Sequence, residues 1–497
     1  MKRYRIPIAV ALVLLPVLAR AVWFYQGIFW RSASIATPDY GSFTIPQPPL
    51  STPLPESETD RASSPAIILL DQAHSNLFSP SELESLSGIL HSRGARMESV
   101  AYGSYEDRSL SDQLKYASAY ISLCPIKTFS TAEIQLLQDF VRRGGRLLIL
   151  TDPTRSAVMY DYYGYGSAAV TADVIAANSL LAPFDITFLD DYLYNMTEYE
   201  GNFRNVYFRD FSAHPLTKNL STVVLYAAHS LQTDTGTVLI QSSRTTLSSR
   251  TDASGGFAVA ALDASTNVLA IGDMTFLQPP YNQVADNAVL IQHVADFLLD
   301  APRIHDLKDF PFLFQREVVI VPMEDVILSS TLLGPIQALQ QDLSGVGIGS
   351  TLATQAAAGK DLIVLGTYTS QGIDAYLKPH GIRLPSAGMA PSFSRPPGIE
   401  IPGLGSISPF GIGLILFTRT GTQSTLVLLA EDSTTLTDLM NVIGPEGFSE
   451  CVLQGNVAVC GLGEAFGDFG DSWWQAFESG STEPALETTP TPLVPGG

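Results

Sequence analysis

The sequence predicts an α/β protein with a parallel sheet and a second, smaller α/β domain. Short, continuous apolar runs end in polar residues, a pattern typical of strands that are buried on both faces. Helical segments that begin with capping residues separate these runs, and the same alternation resumes after residue 302. Strand, helix and strand joined by short connections predict parallel βαβ units with right-handed crossovers.

The first domain is predicted over residues 65–301. Its two early helices each open with a serine that is followed three residues later by a glutamate, as in Ser79 and Glu82, which is a capping-box pattern. The aromatic, irregular segment 157–215 predicts an insertion or a cap over the sheet. The predicted elements are strands at 66–71, 120–125, 146–152, 223–228, 238–242, 257–263 and 267–273, and helices at 79–92, 130–141 and 287–299.

The second domain is predicted over residues 302–466. Its apolar runs and capping residues repeat the α/β alternation, and the segment 386–409 is rich in proline and glycine, which predicts a loop. The predicted elements are strands at 317–322, 361–368, 413–420 and 424–432, and helices at 333–343, from Ser370 onward, and at 433–443.

Two of the three cysteines lie in a predicted hairpin, CVLQGNVAVC. A two-residue turn at Gly455 and Asn456 places Cys451 opposite Cys460, where a cross-strand disulfide can form. The alternative is a pair of buried thiols in a cytosolic protein. The third cysteine, Cys124, is expected to be buried.

The composition excludes several classes of protein. The 497 residues include 28 basic and 49 acidic side chains, a formal net charge of −21, and 45% hydrophobic residues. So many apolar residues exclude a disordered chain, and an acidic surface repels phosphates, so nucleic acid is not an expected partner. Three cysteines are too few for a disulfide-dense scaffold or a cysteine-rich metal site.

The amino-terminal region predicts attachment to a membrane. Residues 1–31 contain five basic and no acidic side chains around apolar runs, and we interpret them as an uncleaved, single-pass signal anchor with the amino terminus inside the cell. A cleaved signal peptide, with Ala19-Arg20-Ala21 at the cut, is the alternative. Residues 32–64 are predicted to be a proline- and serine-rich tether, and residues 467–497 a disordered tail.

Four segments resemble a family of bacterial membrane-anchored proteins with a class I glutamine amidotransferase-like domain of unknown function. They are DQAHSNLFSPSELESL (71–86), SLCPIKTFSTAEIQLLQDFVRRGGRLLILTDPTR (122–155), HPLTKNLSTVVLYAAHSL (214–231) and IGDMTFLQPPYNQVADNAVLIQHVADFLL (271–299). The family is also similar to the auxiliary component of gliding-motility-type ABC transporters. The resemblance covers roughly residues 65–300 and implies a flavodoxin-like three-layer fold with no established activity.

Polar residues follow the predicted parallel strands, whose carboxyl ends meet at one edge of the sheet, where ligands bind in this type of fold. We expect a ligand-binding site at that edge, with no cofactor and no resident metal. The candidate ligand-binding residues are Asp71, Gln72, His74, Asp152, Thr154, Arg155 and Asp273.

Three interpretations of this edge compete: amidotransferase or peptidase chemistry, a metal or acid–base site, and a binding or scaffolding module that has lost the nucleophile. Amidotransferase or peptidase chemistry needs a nucleophile at a strand-to-helix turn, but the turn after 146–152 contains Thr151-Asp152-Pro153, and Cys124 lies one strand too early. The acids and His74 could act as an acid–base or metal site, or the acids could simply cap turns. Arg155 could pair with an acidic ligand or with a neighbouring aspartate.

From these patterns we expect no catalytic residues. The predicted function is a catalytically silent, membrane-tethered extracytoplasmic binding or accessory protein of an envelope complex, such as one associated with a transporter. Its predicted partners are the membrane, through the amino-terminal helix, and other envelope proteins. The alternative is an envelope hydrolase that uses the carboxylates and His74, with or without a metal ion.

Overall fold

A computed structural model describes most of the chain. It divides into two compact units, Met1–Glu58 and Thr59–Gly497, which we describe separately. The predicted tether at 32–64 and tail at 467–497 lie outside the described residues. The described residues are 5–24, 66–101, 109–160, 167–171, 174–251, 253–301, 303–384, 398–444, 448 and 451–462.

The first unit contains one described helix, α1 (Arg5–Phe24), with Pro16 inside it. It lies within the segment 1–31 that the sequence predicts to be a transmembrane anchor. Among the residues that the structure describes, no helix is both long enough and apolar enough to cross a membrane.

The second unit contains two sheet domains, of which the first is the larger. Its strands are β1 (Ile67–Asp71), β2 (Arg96–Val100), β3 (Ala119–Leu123), β4 (Arg146–Leu150), β5 (Ser156–Tyr160), β6 (Ser167–Thr171), β7 (Thr187–Phe188), β8 (Leu193–Tyr194), β9 (Asn205–Phe208), β10 (Asp210–Phe211), β11 (Val223–Tyr226), β12 (Leu231–Gln232), β13 (Thr237–Gln241), β14 (Leu247–Ser248), β15 (Ala258–Leu262) and β16 (Val268–Ile271). Its helices are α2 (Glu84–Ser92), α3 (Leu110–Leu114), α4 (Thr131–Arg142), α5 (Val174–Leu181) and α6 (Asn287–Leu299).

The main sheet has a parallel part and an antiparallel edge. Strands β2, β1, β3, β4 and β16 are adjacent in that order and parallel. Strand β15 then pairs antiparallel with β16, and β13 and β10 continue the sheet. The parallel βαβ units are therefore confirmed for the strands that the longest apolar runs predict.

Hydrophobic cores cover both faces of this sheet. One core contains residues of α2 and α6, and the other contains residues of α3, α4 and α5. Leu70 faces the first core and Leu69 the second, because side chains alternate along a strand. Helices on both faces therefore bury the parallel strands, as their uninterrupted apolar sequences indicate.

Several predicted elements of this domain differ from the structure. The run 223–228 forms β11, which pairs with β9 outside the main sheet, and the strands β15, β13 and β10 are antiparallel. The segment 157–215, predicted to be irregular, contains the hairpin of β5 and β6 and the helix α5. The edge strand β2 was not predicted, since its half-exposed, charged sequence RMESV lacks an apolar run.

The second sheet domain contains a mixed sheet. Its strands are β17 (Val318–Pro322), β18 (Ser350–Leu352), β19 (Asp361–Thr367), β20 (Ile399–Ile401), β21 (Gly405–Ile407), β22 (Ile412–Thr420), β23 (Gln423–Ala430), β24 (Cys451–Gln454) and β25 (Val457–Gly461), and its helices are α7 (Ser330–Gly345), α8 (Asp374–Leu377) and α9 (Ser433–Val442). The order is β18-β17-β19-β23-β22-β25-β24, with the first four strands parallel and the last three joined by antiparallel pairs. The predicted loop 386–409 contains the small hairpin of β20 and β21.

The predicted cysteine hairpin is confirmed. Strands β24 and β25 pair with Cys451 opposite Cys460, and the two sulfurs form a disulfide. Gly455, in the turn, has a φ of +59°, a left-handed conformation that glycine adopts without a steric penalty.

The connection between the two sheet domains is an ordered joint, defined here as residues 303–316. On the first-domain side, Asp309 is 1% exposed and accepts hydrogen bonds from Arg143 and Arg303, at 2.6 and 2.9 Å. Burial lowers the pKa of Arg303 to about 10. On the second-domain side, Phe310 and Leu313 belong to the core beneath α7 and α9. The joint is thus bonded to both domains.

Candidate functional site

The predicted strand-end residues come together at one edge of the first sheet. The register aligns Leu123 with Leu150 and Leu150 with Ile271, so the residues that follow these strands are neighbours. Four of the side chains at this edge are almost completely buried: Asp71, Asp152 and Asp273 are 0% exposed and His74 is 3% exposed. Gln72 and Thr154 are exposed. The edge is therefore a polar cluster enclosed by its own loops.

Asp71 and His74 form a buried pair. His74 Nδ1 lies 2.9 Å from Asp71 Oδ1 and donates a hydrogen bond to it, because a carboxylate can only accept. Ser122 Oγ donates to Asp71 Oδ2 at 2.8 Å. The His74 ring stacks on Phe129, and its Nε2 lies 3.6 Å from Glu133 Oε1. Asp71 thus orients the His74 imidazole, but the second nitrogen of the ring faces the carboxylate of Glu133.

Asp152 and Arg155 form the second part of the cluster. Arg155 Nε donates to Asp152 Oδ2 at 3.2 Å, and its Nη1 pairs with Glu82. Thr275 Oγ1 also donates to Asp152 Oδ2, at 2.7 Å. Of the alternatives for Arg155, pairing with a neighbouring aspartate is the one observed. The guanidinium is thus flanked by two carboxylates.

Asp273 lies beside Asp152 in the same cluster. Its oxygens accept hydrogen bonds from the backbone N–H groups of Thr275, at 2.8 Å, and Tyr226, at 3.0 Å. Burial, and secondarily the charge of Asp152, raise the pKa of Asp273 well above its usual value. Asp273 is therefore an uncharged acid over a wider pH range than an exposed aspartate.

The three strand-end aspartates share one local geometry. Asp71, Asp152 and Asp273 each accept a hydrogen bond from the backbone N–H two residues later. Aspartate commonly stabilises turns in this way, and these bonds occupy oxygens that a substrate or a metal ion would otherwise use. The turn-capping alternative of the sequence analysis is the one that this geometry favours.

A left-handed turn at Cys124 follows β3 at this edge. Cys124 has a left-handed backbone, with a φ of +44°, as do Ser75 and Ala227 on other loops, whereas Thr151, Asp152 and Pro153 do not. The Cys124 thiol is 0% exposed and contacts Met274 Sδ at 3.8 Å. Burial, followed by the charge of Asp152, raises its pKa well above the usual value, which disfavours the nucleophilic thiolate.

Sequence reasoning missed two residues at this edge. Thr151 and His229 are each 2% exposed. The Thr151 hydroxyl has no hydrogen-bond partner in the described part of the chain, whereas the His229 ring interacts with the backbone of Asp191. Asn76 Oδ1 and Arg155 Nη2 are also buried and unpartnered there. The position of His229 after the apolar run of β11 was the available signal, but its proximity to β16 depends on tertiary contacts.

A metal site is not apparent among the residues described. In that part of the chain, no group of three or more His, Cys, Asp or Glu side chains has an arrangement that could hold a metal ion. Two surface grooves, of about 450 and 490 Å³, lie beside α2 and β2 and beside α4, away from the polar edge.

Comparisons with known proteins give only weak likenesses. No family model and no curated protein matches the sequence. A solved structure described as "mmIFT52 N-terminal domain" is 15% identical with a TM-score of 0.37, over 46% of this chain and 96% of that chain. A ThuA-like protein from Bacteroides uniformis is 14% identical with a TM-score of 0.29, over 49% and 94% of the two chains.

A second ThuA-like protein, from Parabacteroides merdae, is 13% identical with a TM-score of 0.27, over 48% of this chain and 91% of that chain. These likenesses are too weak to assign a family or a function. The resemblance to the gliding-motility-type proteins stays a prediction.

Proposed function

We propose that this chain is a non-catalytic binding module that engages a ligand or a partner protein at the carboxyl edge of its first sheet. The observation that carries the proposal is the state of Cys124. Cys124 lies in a left-handed turn at this edge, but its thiol is buried and its pKa is raised above the usual value, which disfavours a nucleophilic thiolate. Buried polar atoms without a partner among the described residues also favour binding; they belong to Asn76 after β1 and to Thr151 and Arg155 after β4.

The strand order supports a flavodoxin-like, amidotransferase-like architecture for this domain. The parallel strands β2, β1, β3, β4 and β16 have the order of the flavodoxin-like class, in which ligands bind beyond the carboxyl ends of the strands. The proposed binding edge is that end. In this proposal the chain retains the position of an active site without a reactive nucleophile.

We further propose that the module is membrane-tethered and extracytoplasmic, within an envelope complex. The disulfide Cys451–Cys460 favours an oxidising compartment, and the five basic residues of the segment 1–31 favour retention of the amino terminus inside the cell. Alkaline phosphatase fused after residue 465 should be active, because that enzyme needs export. Activity of a reporter that works only in the cytoplasm, fused at the same site, would contradict the proposal.

The non-catalytic role is tested on the purified full-length protein. In the native protein, iodoacetamide should leave Cys124 unmodified, whereas in denaturant it should modify Cys124, as read by mass spectrometry. A screen against glycans, peptides and esters should detect no hydrolysis that depends on Cys124, so the wild type and the Cys124→Ser variant should give the same result. Rapid native alkylation together with thiol-dependent turnover would overturn the proposal.

A hydrolase remains the second candidate because of the bond between Asp71 and His74, which resembles an oriented acid–base pair. If this candidate is correct, Asp71→Ala and His74→Ala should each abolish a turnover that the wild type shows. His293→Ala is the control, since His293 lies on α6 and bonds the carbonyl of Leu216. Turnover lost in both test variants and kept in the control would establish the hydrolase.

A further inference from the structure

A loop beside the carboxyl edge holds an arginine against two aromatic rings. The guanidinium carbon of Arg204 lies 4.7 Å from the centre of the Tyr192 ring and 5.5 Å from that of Phe203. The Phe203 ring packs edge-on against Tyr194, with the ring centres 6.1 Å apart. We call these four side chains the aromatic platform. Because both rings attract the planar cation, the platform restricts where the charge of Arg204 lies.

The aromatic platform lies at the rim of the carboxyl edge. The backbone N–H of Ala227 donates to the carbonyl of Arg204 at 2.7 Å. The preceding residue, Tyr226, donates its backbone N–H to the buried carboxylate of Asp273 at 3.0 Å. Two consecutive residues of the chain therefore join the platform to the strand-end aspartates.

Arg204 differs from the other arginines that stack on rings. In the described part of the chain, three others do so, and each also donates to a protein oxygen: Arg146 to the Asp300 carbonyl, Arg209 to Glu198 and Arg303 to Asp309. The exposed guanidinium of Arg204 has no acceptor among the described residues. On a chain with a formal net charge of −21, a fixed cation without an acid indicates a site for an external anion.

The same loop exposes large apolar side chains. Met196, Tyr199 and Phe203 are all exposed, Phe203 at 38%. The loop folds back on itself, since Asn195 N donates to the Phe203 carbonyl at 2.8 Å. Exposed apolar groups that gather in one place are typical of a binding surface. Phe203 thus presents an apolar ring directly beside the guanidinium of Arg204.

We propose that the aromatic platform binds a saccharide that carries a carboxylate, such as a uronic acid unit. A guanidinium binds a carboxylate through two parallel N–H···O bonds, and the C–H groups on one face of a sugar ring pack against an aromatic ring. A uronic acid combines both groups in one unit, whereas a neutral sugar leaves Arg204 unpaired and an acidic peptide side chain has no ring face to place on Phe203. This inference rests on the proposed binding role of the edge and names the ligand class at its rim.

The test is isothermal titration calorimetry of the full-length protein with pentagalacturonate and with its methyl ester, which keeps the sugar rings and removes the charge. A salt concentration of about 0.15 M limits long-range repulsion by the acidic chain. Arg204→Gln removes the cation, and Phe203→Ala removes the exposed ring. Arg209→Gln is the matched control, because Arg209 is also exposed and stacks on Tyr207, at 4.9 Å, but is paired with Glu198.

We expect saturable binding of pentagalacturonate, weaker binding of the ester, and a loss of affinity of about tenfold in Arg204→Gln. Phe203→Ala should weaken the binding of both ligands, and Arg209→Gln should bind like the wild type. Absence of saturable binding, equal affinities of the wild type and Arg204→Gln, or equal losses in Arg204→Gln and Arg209→Gln would overturn the inference.

A pentaglutamate peptide distinguishes a saccharide from a peptide ligand. If it binds through Arg204 as tightly as pentagalacturonate does, the saccharide assignment is wrong. None of these outcomes depends on turnover, so their failure leaves the non-catalytic role standing. Failure of that role would instead appear as hydrolysis that depends on Cys124.

Discussion

The raised pKa of Asp273 makes a specific prediction about stability and pH. Because this pKa is higher in the folded protein than in the unfolded chain, the protonated acid favours folding. The contribution of Asp273 to stability is fully present below its unfolded pKa of about 3.9 and is lost as the pH rises through the raised folded value. Between the two values the loss is about 1.4 kcal/mol per pH unit.

The variant Asp273→Asn removes this titration at a structural cost. The two carboxyl oxygens accept from Thr275 N and Tyr226 N, but an amide has one oxygen, so one buried N–H loses its acceptor. That loss costs about 1–3 kcal/mol. The variant should therefore be less stable than the wild type at low pH, and the difference should shrink or reverse as the pH rises.

Urea unfolding of wild type and variant between acidic and mildly basic pH measures this difference. Asp263→Asn is the matched control, because Asp263 is 5% exposed and caps a similar turn through Ser265 N. The Asp263→Asn control measures the pH dependence of stability that follows from removing any carboxylate that caps a turn. This contribution is subtracted from the difference measured for Asp273→Asn. A wild-type-minus-variant difference that stays constant with pH would refute the reasoning.

Three further predictions concern the packing of the second unit. Gly272→Ala should lower stability by about 1–3 kcal/mol, because the added methyl group would clash with the backbone of His229. The control Gly88→Ala should not destabilise α2, since no atom lies within 4 Å of the added methyl group; thermal unfolding measures both. Asp309→Asn should cost about 3–5 kcal/mol, since it leaves Arg143 and Arg303 buried without their shared charge; a loss below 1 kcal/mol in urea unfolding would contradict this. Replacing Cys451 and Cys460 together by serine should lower stability by about 2–3 kcal/mol, from the short loop closed by the disulfide, and an unchanged melting temperature would argue against the bond.

The parts of the fold that local sequence determines were predictable. Strands β1, β3 and β4 each contain a run of apolar residues, because both of their faces are buried. The Cys451–Cys460 pairing followed from a two-residue turn, whose geometry fixes the register. Helix α4 begins at the predicted serine cap, with Ser130 accepting from Glu133 N.

The parts that depend on distant contacts were not predictable. Strand β2 is half exposed at the sheet edge, so its sequence carries no apolar run. The left-handed backbone at Cys124 and the burial of His229 beside β16 arise from loops that meet only in the folded chain. The strand-end aspartates were correctly placed at one edge, but their burial and their hydrogen bonds with residues of other loops were not visible in the sequence.

The joint has a practical consequence for dissecting the molecule. A cut at the predicted boundary near 302 would strip Asp309 from Arg143, which stays with the amino-terminal half. A cut beyond the joint would instead carry Phe310 and Leu313 away from the core that they fill in the carboxyl-terminal half. Neither fragment would therefore retain its full set of native contacts, and functional assays are best made on the undivided protein.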